Sequence, residues 1–122
     1  FYNAIANNGI MVEPKLHKDN ATVICQQIAS KANIDSIKSA LKYVVTDGMS
    51  KHAKPYNIQV AGKTGTIQLY DNSYIADFCG YFPADKPQYS VIISIHKDSL
   101  PASGGAMAGN IFKEIVEYMT QK

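Results

Sequence analysis

The residues best suited to chemistry lie in one short segment, VAGKTGTIQ, at positions 60–68. Lys63 carries a positive charge, and the hydroxyl groups of Thr64 and Thr66 can both donate and accept hydrogen bonds. Gly65 stands between the two threonines and leaves a gap in the row of side chains. Such a set could hold a nucleotide phosphate or a ligand carboxylate, or it could form a simple turn.

A phosphate-binding loop can be tested by counting residues. That loop has a glycine, four residues and then Gly-Lys-Ser/Thr, and a helix follows it directly. Here the required first glycine falls on Asn57, and Thr66 is followed by Ile-Gln-Leu-Tyr, a strand-like run. Because neither the glycine cradle nor a following helix is present, the sequence excludes nucleotide binding by this motif.

As a strand, the segment offers a different chemistry. Alternation places Lys63 and Gly65 on one face and Thr64 and Thr66 on the other. At a sheet edge, Gly65 lets another backbone approach, and free N–H groups can hold an extended peptide. These groups predict binding of a peptide-like ligand with a carboxylate, with donors for a developing oxyanion. A sheet lysine between turn glycines is the structural alternative, and these residues alone leave it open.

Hydrophobic patterns predict the elements that position this segment. We expect strands at 58–70, 73–82 and 89–97, with turn residues at 71–73 between the first two. A helix is expected over 34–46, and a second over 106–119 after a loop that ends at the Gly104-Gly105 pair. The predicted fold class is α+β, a three-stranded antiparallel meander with flanking helices on one face.

The two helices have clear start, stop and core signals. Asn33 or Asp35 is the expected N-cap of the first helix, and Gly48 follows its end. The apolar stripes are Ile34, Ile37, Leu41, Val44 and Val45 in the first helix and Ala108, Phe112, Ile115, Val116 and Met119 in the second.

The first nine residues, FYNAIANNG, have the pattern of a helix that ends at a C-terminal cap, Gly9. Because the beginning of that helix is missing, we expect residues 1–122 to be a single partial domain. Residues 10–20 contain Pro14 and should be extended, at most an edge strand. Residues 21–30 form either a short strand or a helical turn.

Composition narrows the classes of partner. The chain has 122 residues and a net charge of +2, and its basic residues are all lysines scattered among acids. Without arginine there is no bidentate recognition of phosphate or guanine, so no nucleic-acid partner is expected. Cys25 and Cys79 either pair or act as small buried apolar residues. Neither they nor the three histidines have metal-ligand spacing, so we expect no metal and no cofactor. No membrane span or signal peptide is visible.

Lys-Thr-Gly at 63–65 is similar to the third signature of penicillin-binding proteins and serine β-lactamases. Its extended form, AGKTGT followed by Gln68, resembles the class B penicillin-binding proteins, which are monofunctional D,D-transpeptidases. The resemblance continues in order through YNAIANNGIMVEP, LKYVVTDG, ADFCGYFPADKPQYSVIISI and GGAMAGNIFKEIVEYM. It covers nearly the whole chain and is to the C-terminal part of the transpeptidase domain.

The resemblance implies a role for each residue of the strand. Lys63 would hydrogen-bond the serine of the family's second motif and stabilise charge near the acylation site. Thr64, Gly65 and Thr66 would line the substrate-binding strand, with the threonines holding the carboxylate of a D-Ala-D-Ala stem peptide or of a β-lactam. The backbone N–H of Thr66 would supply half of the oxyanion hole. The reaction implied is acyl transfer through a serine acyl-enzyme, in peptidoglycan cross-linking.

The family's nucleophile is not expected in this chain. Ser39 and Ser94 fit the bare Ser-x-x-Lys pattern with Lys42 and Lys97, but Ser94 is mid-strand. In the family that motif precedes the segment similar to FYNAIANNG, whereas Ser39 follows it. No Ser-x-Asn occurs. We therefore expect one wall of a catalytic cleft, inactive alone, that requires the rest of its domain.

Two alternatives remain beside the transpeptidase. One is a fragment of a serine β-lactamase or D,D-carboxypeptidase, and the other is a non-catalytic peptide-binding or assembly module. The resemblance implies an extracytoplasmic, periplasmic location, with the parent anchored in the inner membrane by a segment outside this chain. A core exposed by truncation would favour a homodimer of the fragment.

Overall fold

The computed structural model describes residues 1–17 and 20–121. Helix α1 spans Tyr2–Ala6, strands β1 and β2 span Met11–Val12 and Val23–Cys25, and helix α2 spans Lys31–Thr46. After a 3₁₀ turn at Lys51–Ala53 come strands β3 (Ala61–Gln68), β4 (Tyr74–Phe82) and β5 (Tyr89–Lys97). A π-helical turn at Gly104–Ala108 opens helix α3, Gly109–Thr120.

Strands β3, β4 and β5 form one sheet in that order, and both pairs are antiparallel. The predicted meander is confirmed, although β3 is shorter than the expected 58–70. Asn72, in the turn between β3 and β4, has a positive φ of 62°, a conformation that asparagine tolerates well. Because β3 is the first strand in the order of the sheet, it lies at one edge, as its proposed role requires.

The two faces of the sheet are covered by different helices. Phe78 on β4 packs against Phe112 of α3, with ring centroids 4.6 Å apart. Tyr81, which points to the opposite face because the strand alternates, packs in a cluster that includes Ile5 of α1. The predicted α+β class with flanking helices is confirmed, but the helices lie on both faces of the sheet rather than on one. The short first helix covers part of the second face.

Helix α2 begins earlier than its apolar pattern predicted. The Ser30 hydroxyl accepts a hydrogen bond from the backbone N–H of Asn33 at 3.3 Å and caps the helix. The prediction of Asn33 or Asp35 as the N-cap is wrong, because Asn33 provides the capped N–H instead. At the other end Gly48 donates its N–H to the Tyr43 carbonyl at 2.9 Å, where the chain leaves the helix as expected.

The predicted apolar stripes are partly correct. Most of their members are buried, but Ile37 is 38% exposed and Met119 is 45% exposed. Both are at the margin of a helical stripe, where a side chain can face either the core or solvent. Sequence spacing alone does not separate these two cases.

The structure of the segment before α2 tests the predictions made for Gly9 and for residues 10–30. Gly9 has a φ of 95° and donates its N–H to the Ala4 carbonyl at 2.7 Å, so the chain turns away from α1 at Gly9, although the C-cap itself is Asn7. Of the extended link expected at 10–20, positions 18 and 19 lie outside the described residues. Its part Met11–Val12 pairs antiparallel with β2, so the undecided stretch 21–30 contains a short strand.

Cys25 and Cys79 are both free and half-buried, so they do not form a disulfide. Burial raises the pKa of the Cys79 thiol above its usual value, and the charge of Asp77 raises it further. Within the described ranges, no helix is both long and apolar enough to cross a membrane.

Candidate functional site

The register of the sheet fixes the direction of each residue in the candidate site. Lys63 is paired with Cys79 and Gly65 with Asp77, and Thr64 is paired with Phe78, whose ring is in the α3-side core. Lys63 and Gly65 therefore share one face, and Thr64 and Thr66 share the other, as alternation predicted.

Two glycines of β3 have different packing roles. A Cβ at Gly62 would be 2.5 Å from Phe78 Cζ and 2.7 Å from the Cys79 carbonyl oxygen, so only glycine fits there. At Gly65 the nearest atom to such a Cβ would be Asp77 Cβ at 3.6 Å, an ordinary contact. Gly62 is thus required for packing, whereas Gly65 leaves a gap on the face that it shares with Lys63.

Lys63 is exposed and bends around the free edge of β3. Its ammonium donates to the carbonyl oxygen of Thr64 at 3.0 Å and to Thr64 Oγ1 at 3.2 Å. The positive charge therefore lies directly beside one of the two threonine hydroxyls. An anionic ligand at this edge would meet the ammonium and the hydroxyl together.

The second threonine is bound by the turn that opens α3. The backbone N–H of Gly104 donates to Thr66 Oγ1 at 3.1 Å. A Cβ built at Gly105 would be 3.5 Å from Thr64 Cγ2. The Gly104-Gly105 pair was expected to form a tight turn that opens the last helix, with a ligand-side loop as the alternative. It does form the first turn of that helix, and it also lies against the threonine face of β3. The paired glycines were the available sequence signal, because they permit this close approach.

Both threonine hydroxyl oxygens act as acceptors in these contacts. A hydroxyl has one proton to donate and two lone pairs that accept. Among the described residues no acceptor takes the proton of Thr64 or Thr66. Each hydroxyl can therefore donate to a ligand, and two donors beside an ammonium suit a carboxylate.

Asp77 is less exposed than its own strand would suggest. A carboxylate inside an apolar strand is expected to face solvent, yet Asp77 is half-buried. Its Oδ1 atom is fully buried and has no hydrogen-bond partner among the described residues. The pairing with Gly65 explains the difficulty of the prediction, since burial here depends on cross-strand register rather than on local pattern.

A serine–histidine–aspartate arrangement occurs at the far end of the same hairpin. Ser73 Oγ is 3.1 Å from His96 Nε2, and His96 Nδ1 is 3.7 Å from Asp98 Oδ1. Ser73, however, is 4% exposed and donates its proton to Asp71 Oδ1 at 2.6 Å. A buried hydroxyl that already donates its proton to a carboxylate is not suited to act as a nucleophile. These side chains instead stabilise the β3–β4 turn.

The two serines that fit Ser-x-x-Lys are also unsuited to nucleophilic attack. The Ser39 hydroxyl donates to the Asp35 carbonyl at 2.9 Å inside α2, and Lys42 pairs with Asp85 at 3.2 Å. Ser94 is in mid-strand opposite Asp77. Neither serine belongs to the β3 site. In the described part of the chain, no three His, Cys, Asp or Glu side chains form a group that could hold a metal ion.

Comparisons with known proteins are consistent along the whole chain. A sequence model of the penicillin binding protein transpeptidase domain matches residues 1–117. Penicillin-binding protein PbpB of Mycolicibacterium smegmatis is 28% identical over 148 residues, which cover 99% of this chain and 23% of that protein. Stage V sporulation protein D of Bacillus subtilis is 30% identical over 114 residues, which cover 84% of this chain and 18% of that protein.

A solved structure shows the same architecture. The transpeptidase domain of FtsI4 D,D-transpeptidase from Legionella pneumophila superimposes with a TM-score of 0.79 at 30% identity. The match covers 98% of this chain and 44% of the solved one. This chain therefore spans about a fifth of the length of the curated relatives named above.

Proposed function

Because this chain belongs to the penicillin-binding protein transpeptidase domain family, we propose that it forms the carboxylate-binding wall of a peptidoglycan D,D-transpeptidase. In the proposed reaction a serine from outside residues 1–122 attacks the penultimate D-alanine carbonyl of a stem peptide. The terminal D-alanine leaves, and an acyl-enzyme forms. An amine of a neighbouring peptide then takes the acyl group and completes the cross-link. A β-lactam would acylate the same serine.

The observation that carries this proposal is the state of the two threonine hydroxyls. The Thr64 oxygen accepts from Lys63, and the Thr66 oxygen accepts from Gly104. Both hydroxyl protons are left to point toward a ligand at the edge of β3. The carboxylate at the end of a D-Ala-D-Ala stem peptide, or that of a β-lactam, has the acceptors that two such donors require.

Lys63 has three proposed roles. Its ammonium strengthens carboxylate binding by charge, and it stabilises negative charge that develops during acylation. In the complete domain it would also bond the serine of the second motif. The exposure of Lys63 at the free edge of β3 supports these roles, because the ammonium is open to groups from outside this chain.

The proposed oxyanion donor is the backbone N–H of Thr66. In an antiparallel strand the N–H and C=O groups of alternate residues point to the same side. The Thr66 N–H therefore points to the same side of β3 as the Thr64 carbonyl, which Lys63 contacts. This geometry supports an N–H donor at the free edge of β3. Such donors usually lie roughly 2.7–3.1 Å from the oxygen atom of an oxyanion.

The face that carries Lys63 also bears exposed apolar residues. Ile67 is 51% exposed and Ile92 is 66% exposed. We propose that the rest of the transpeptidase domain covers them, outside the cytoplasm, in a parent enzyme held at the membrane. A homodimer of the 122-residue chain through this face is the competing explanation, and sedimentation of the isolated chain and of the full-length protein separates the two.

A fluorescent penicillin tests the proposed function on the full-length protein. We expect covalent labelling of the wild type, and Lys63→Ala should slow acylation by roughly 10²-fold or more, as for other preorganised electrostatic groups. Lys86→Ala is a matched control, because Lys86 is exposed in the turn before β5. Its acylation rate should equal that of the wild type.

Absence of labelling in the wild type would overturn the proposal and favour a non-catalytic module. Labelling followed by rapid hydrolysis of the penicillin would indicate a β-lactamase, and release of D-alanine without cross-linking would indicate a carboxypeptidase. A stable acyl-enzyme together with cross-linking of stem peptides would support the transpeptidase.

A further inference from the structure

The Asp77 side chain is a partly buried carboxylate to which no residue of its own strand donates a hydrogen bond. It lies in the middle strand, opposite Gly65 of β3 and Ser94 of β5. Its Oδ1 atom is buried, and no donor among the described residues contacts it. A buried carboxylate oxygen without a donor is unfavourable and calls for a cation or a hydrogen-bond donor nearby.

The missing side chain of Gly65 gives this carboxylate access to β3. A Cβ at Gly65 would be 3.6 Å from Asp77 Cβ and 4.0 Å from Asp77 Oδ2. The carboxylate therefore leans over the glycine, in the gap between the side chains of Lys63 and Ile67. Any larger residue at position 65 would fill this gap.

Lys63 is the cation that can enter this gap. It lies on the same face as Gly65, two residues earlier, and is a diagonal neighbour of Asp77 because it pairs with Cys79. Diagonal neighbours are roughly 7–8 Å apart, within reach of long side chains. Among the residues that the structure describes, the Lys63 ammonium contacts neutral groups of Thr64 alone.

The other titratable groups on this face are less suitable. His96 on β5 is engaged by Ser73 and by Asp98. Cys79 is half-buried on the same strand as Asp77 and carries no positive charge in any state. Tyr2 of α1 lies at the other end of the face, near Cys79 and Ile92.

We propose that Asp77 is a positioning residue for Lys63. Its carboxylate competes with Thr64 for the Lys63 ammonium across Gly65, and an incoming ligand carboxylate favours the Thr64 side, where the ammonium lies in the structure. Asp77 thereby sets where the charge lies before acylation. The inference rests on the proposed function only for its effect on acylation, because the ion pair itself can be measured through stability.

A double-mutant cycle in the full-length protein tests the pair by thermal unfolding. Asp77→Asn should lower Tm when Lys63 is present, because it removes the partner of the ammonium. In the Lys63→Met background the same change should raise Tm, because it removes a buried charge that has lost its cation. Asp98→Asn is a matched control and should shift Tm equally in both backgrounds, since Asp98 is exposed and faces His96.

Equal shifts for Asp77→Asn in the two backgrounds would overturn the proposal, whether or not the protein binds penicillin. If Asp77→Asn gives no folded protein, Asp77→Ser makes the same comparison with a smaller neutral side chain. Where the wild type is acylated, Asp77→Asn should slow the acylation step roughly 10- to 100-fold, as misplacement of a group does. The dissociation constant of the initial penicillin complex should stay equal or fall, because Asp77 no longer competes for Lys63. A weaker initial complex with an unchanged acylation step would contradict the proposed role.

Discussion

Thr66 Oγ1 accepts a hydrogen bond from the backbone N–H of Gly104 at 3.1 Å, across 38 positions of sequence. This bond joins the middle of the candidate site to the first turn of α3. It also determines the direction of the Thr66 hydroxyl, because an oxygen that accepts from Gly104 has its own proton available for a ligand.

Thr66→Val should break this link. The substitution keeps the shape of the side chain but leaves the Gly104 N–H, in a buried residue, without its acceptor. We expect a loss of about 1–3 kcal/mol in the free energy of unfolding, measured by chemical denaturation of the full-length protein. Thr66→Ser retains the hydroxyl and should recover most of the loss. Equal stability of the valine and serine variants would show that the bond contributes little.

Gly104→Ala and Gly105→Ala form a matched pair. A Cβ at Gly104 would clash with the carbonyl oxygens of Gly65 and Asp77, which are backbone atoms that cannot rotate away. Gly104→Ala should therefore destabilise the protein by about 1–3 kcal/mol, as overpacking does. A Cβ at Gly105 would find its nearest neighbours at 3.5 Å, so Gly105→Ala should be neutral or slightly stabilising. Thermal unfolding of both variants checks the difference, and a similar Tm for the two would contradict the described packing.

Tyr81→Phe addresses a buried phenol. The Tyr81 hydroxyl has no hydrogen-bond partner among the described residues, and burial, with a smaller effect of Asp85, raises its pKa from 10.0 to about 12. Removing an unsatisfied hydroxyl should leave stability unchanged or increase it by up to about 1 kcal/mol at neutral pH.

The raised pKa of Tyr81 predicts that the protein loses stability at alkaline pH. Between the unfolded pKa of 10.0 and the folded value of about 12, the unfolded state releases the Tyr81 proton more readily. Wild-type stability should therefore fall as pH rises through this window, and Tyr81→Phe should lack that component. Tyr89→Phe, at a 51% exposed position, is the control. Identical alkaline unfolding curves for wild type and Tyr81→Phe would contradict the assignment.

Ser73→Ala should change the titration of Asp71. The Ser73 hydroxyl, then its backbone N–H, hold the pKa of the Asp71 carboxyl below its usual value of 3.8. A depressed folded pKa contributes stability at pH values above the unfolded one, and this is lost as pH falls through the folded one. In Ser73→Ala the Asp71 pKa should rise toward its ordinary value, as measured by NMR of the carboxyl carbon. Ser94→Ala, an exposed position on β5, should leave it unchanged.

Sequence patterns correctly predicted the features of the structure that depend on residues close together in the chain. The alternation of β3 assigned Lys63 and Gly65 to one face and both threonines to the other, and Gly9 marked the region where α1 ends. The end of α2 near Gly48 was likewise marked by its glycine. In each case the physical rule acts within a few residues of chain.

The predictions that failed depend on contacts distant in sequence or on a choice between adjacent residues. The burial of Asp77 depends on which residue of β3 stands opposite, and that register is not visible from β4 alone. Gly104 lies at the site because its backbone N–H donates to the Thr66 hydroxyl, 38 positions away in the sequence. The cap of α2 was misassigned because Ser30, Asn33 and Asp35 all belong to types that can cap a helix, and only geometry separates them.

The orientation of the two threonine hydroxyls has a consequence for selectivity. Each threonine oxygen already accepts one hydrogen bond, and the Lys63 ammonium adds further donors, so the edge of β3 presents mainly donors to a ligand terminus. A free carboxylate satisfies both donors, whereas a C-terminal amide would bring its own N–H groups against them. The wall should therefore discriminate against amidated peptides by unpaired polar groups, a form of rejection that does not depend on size.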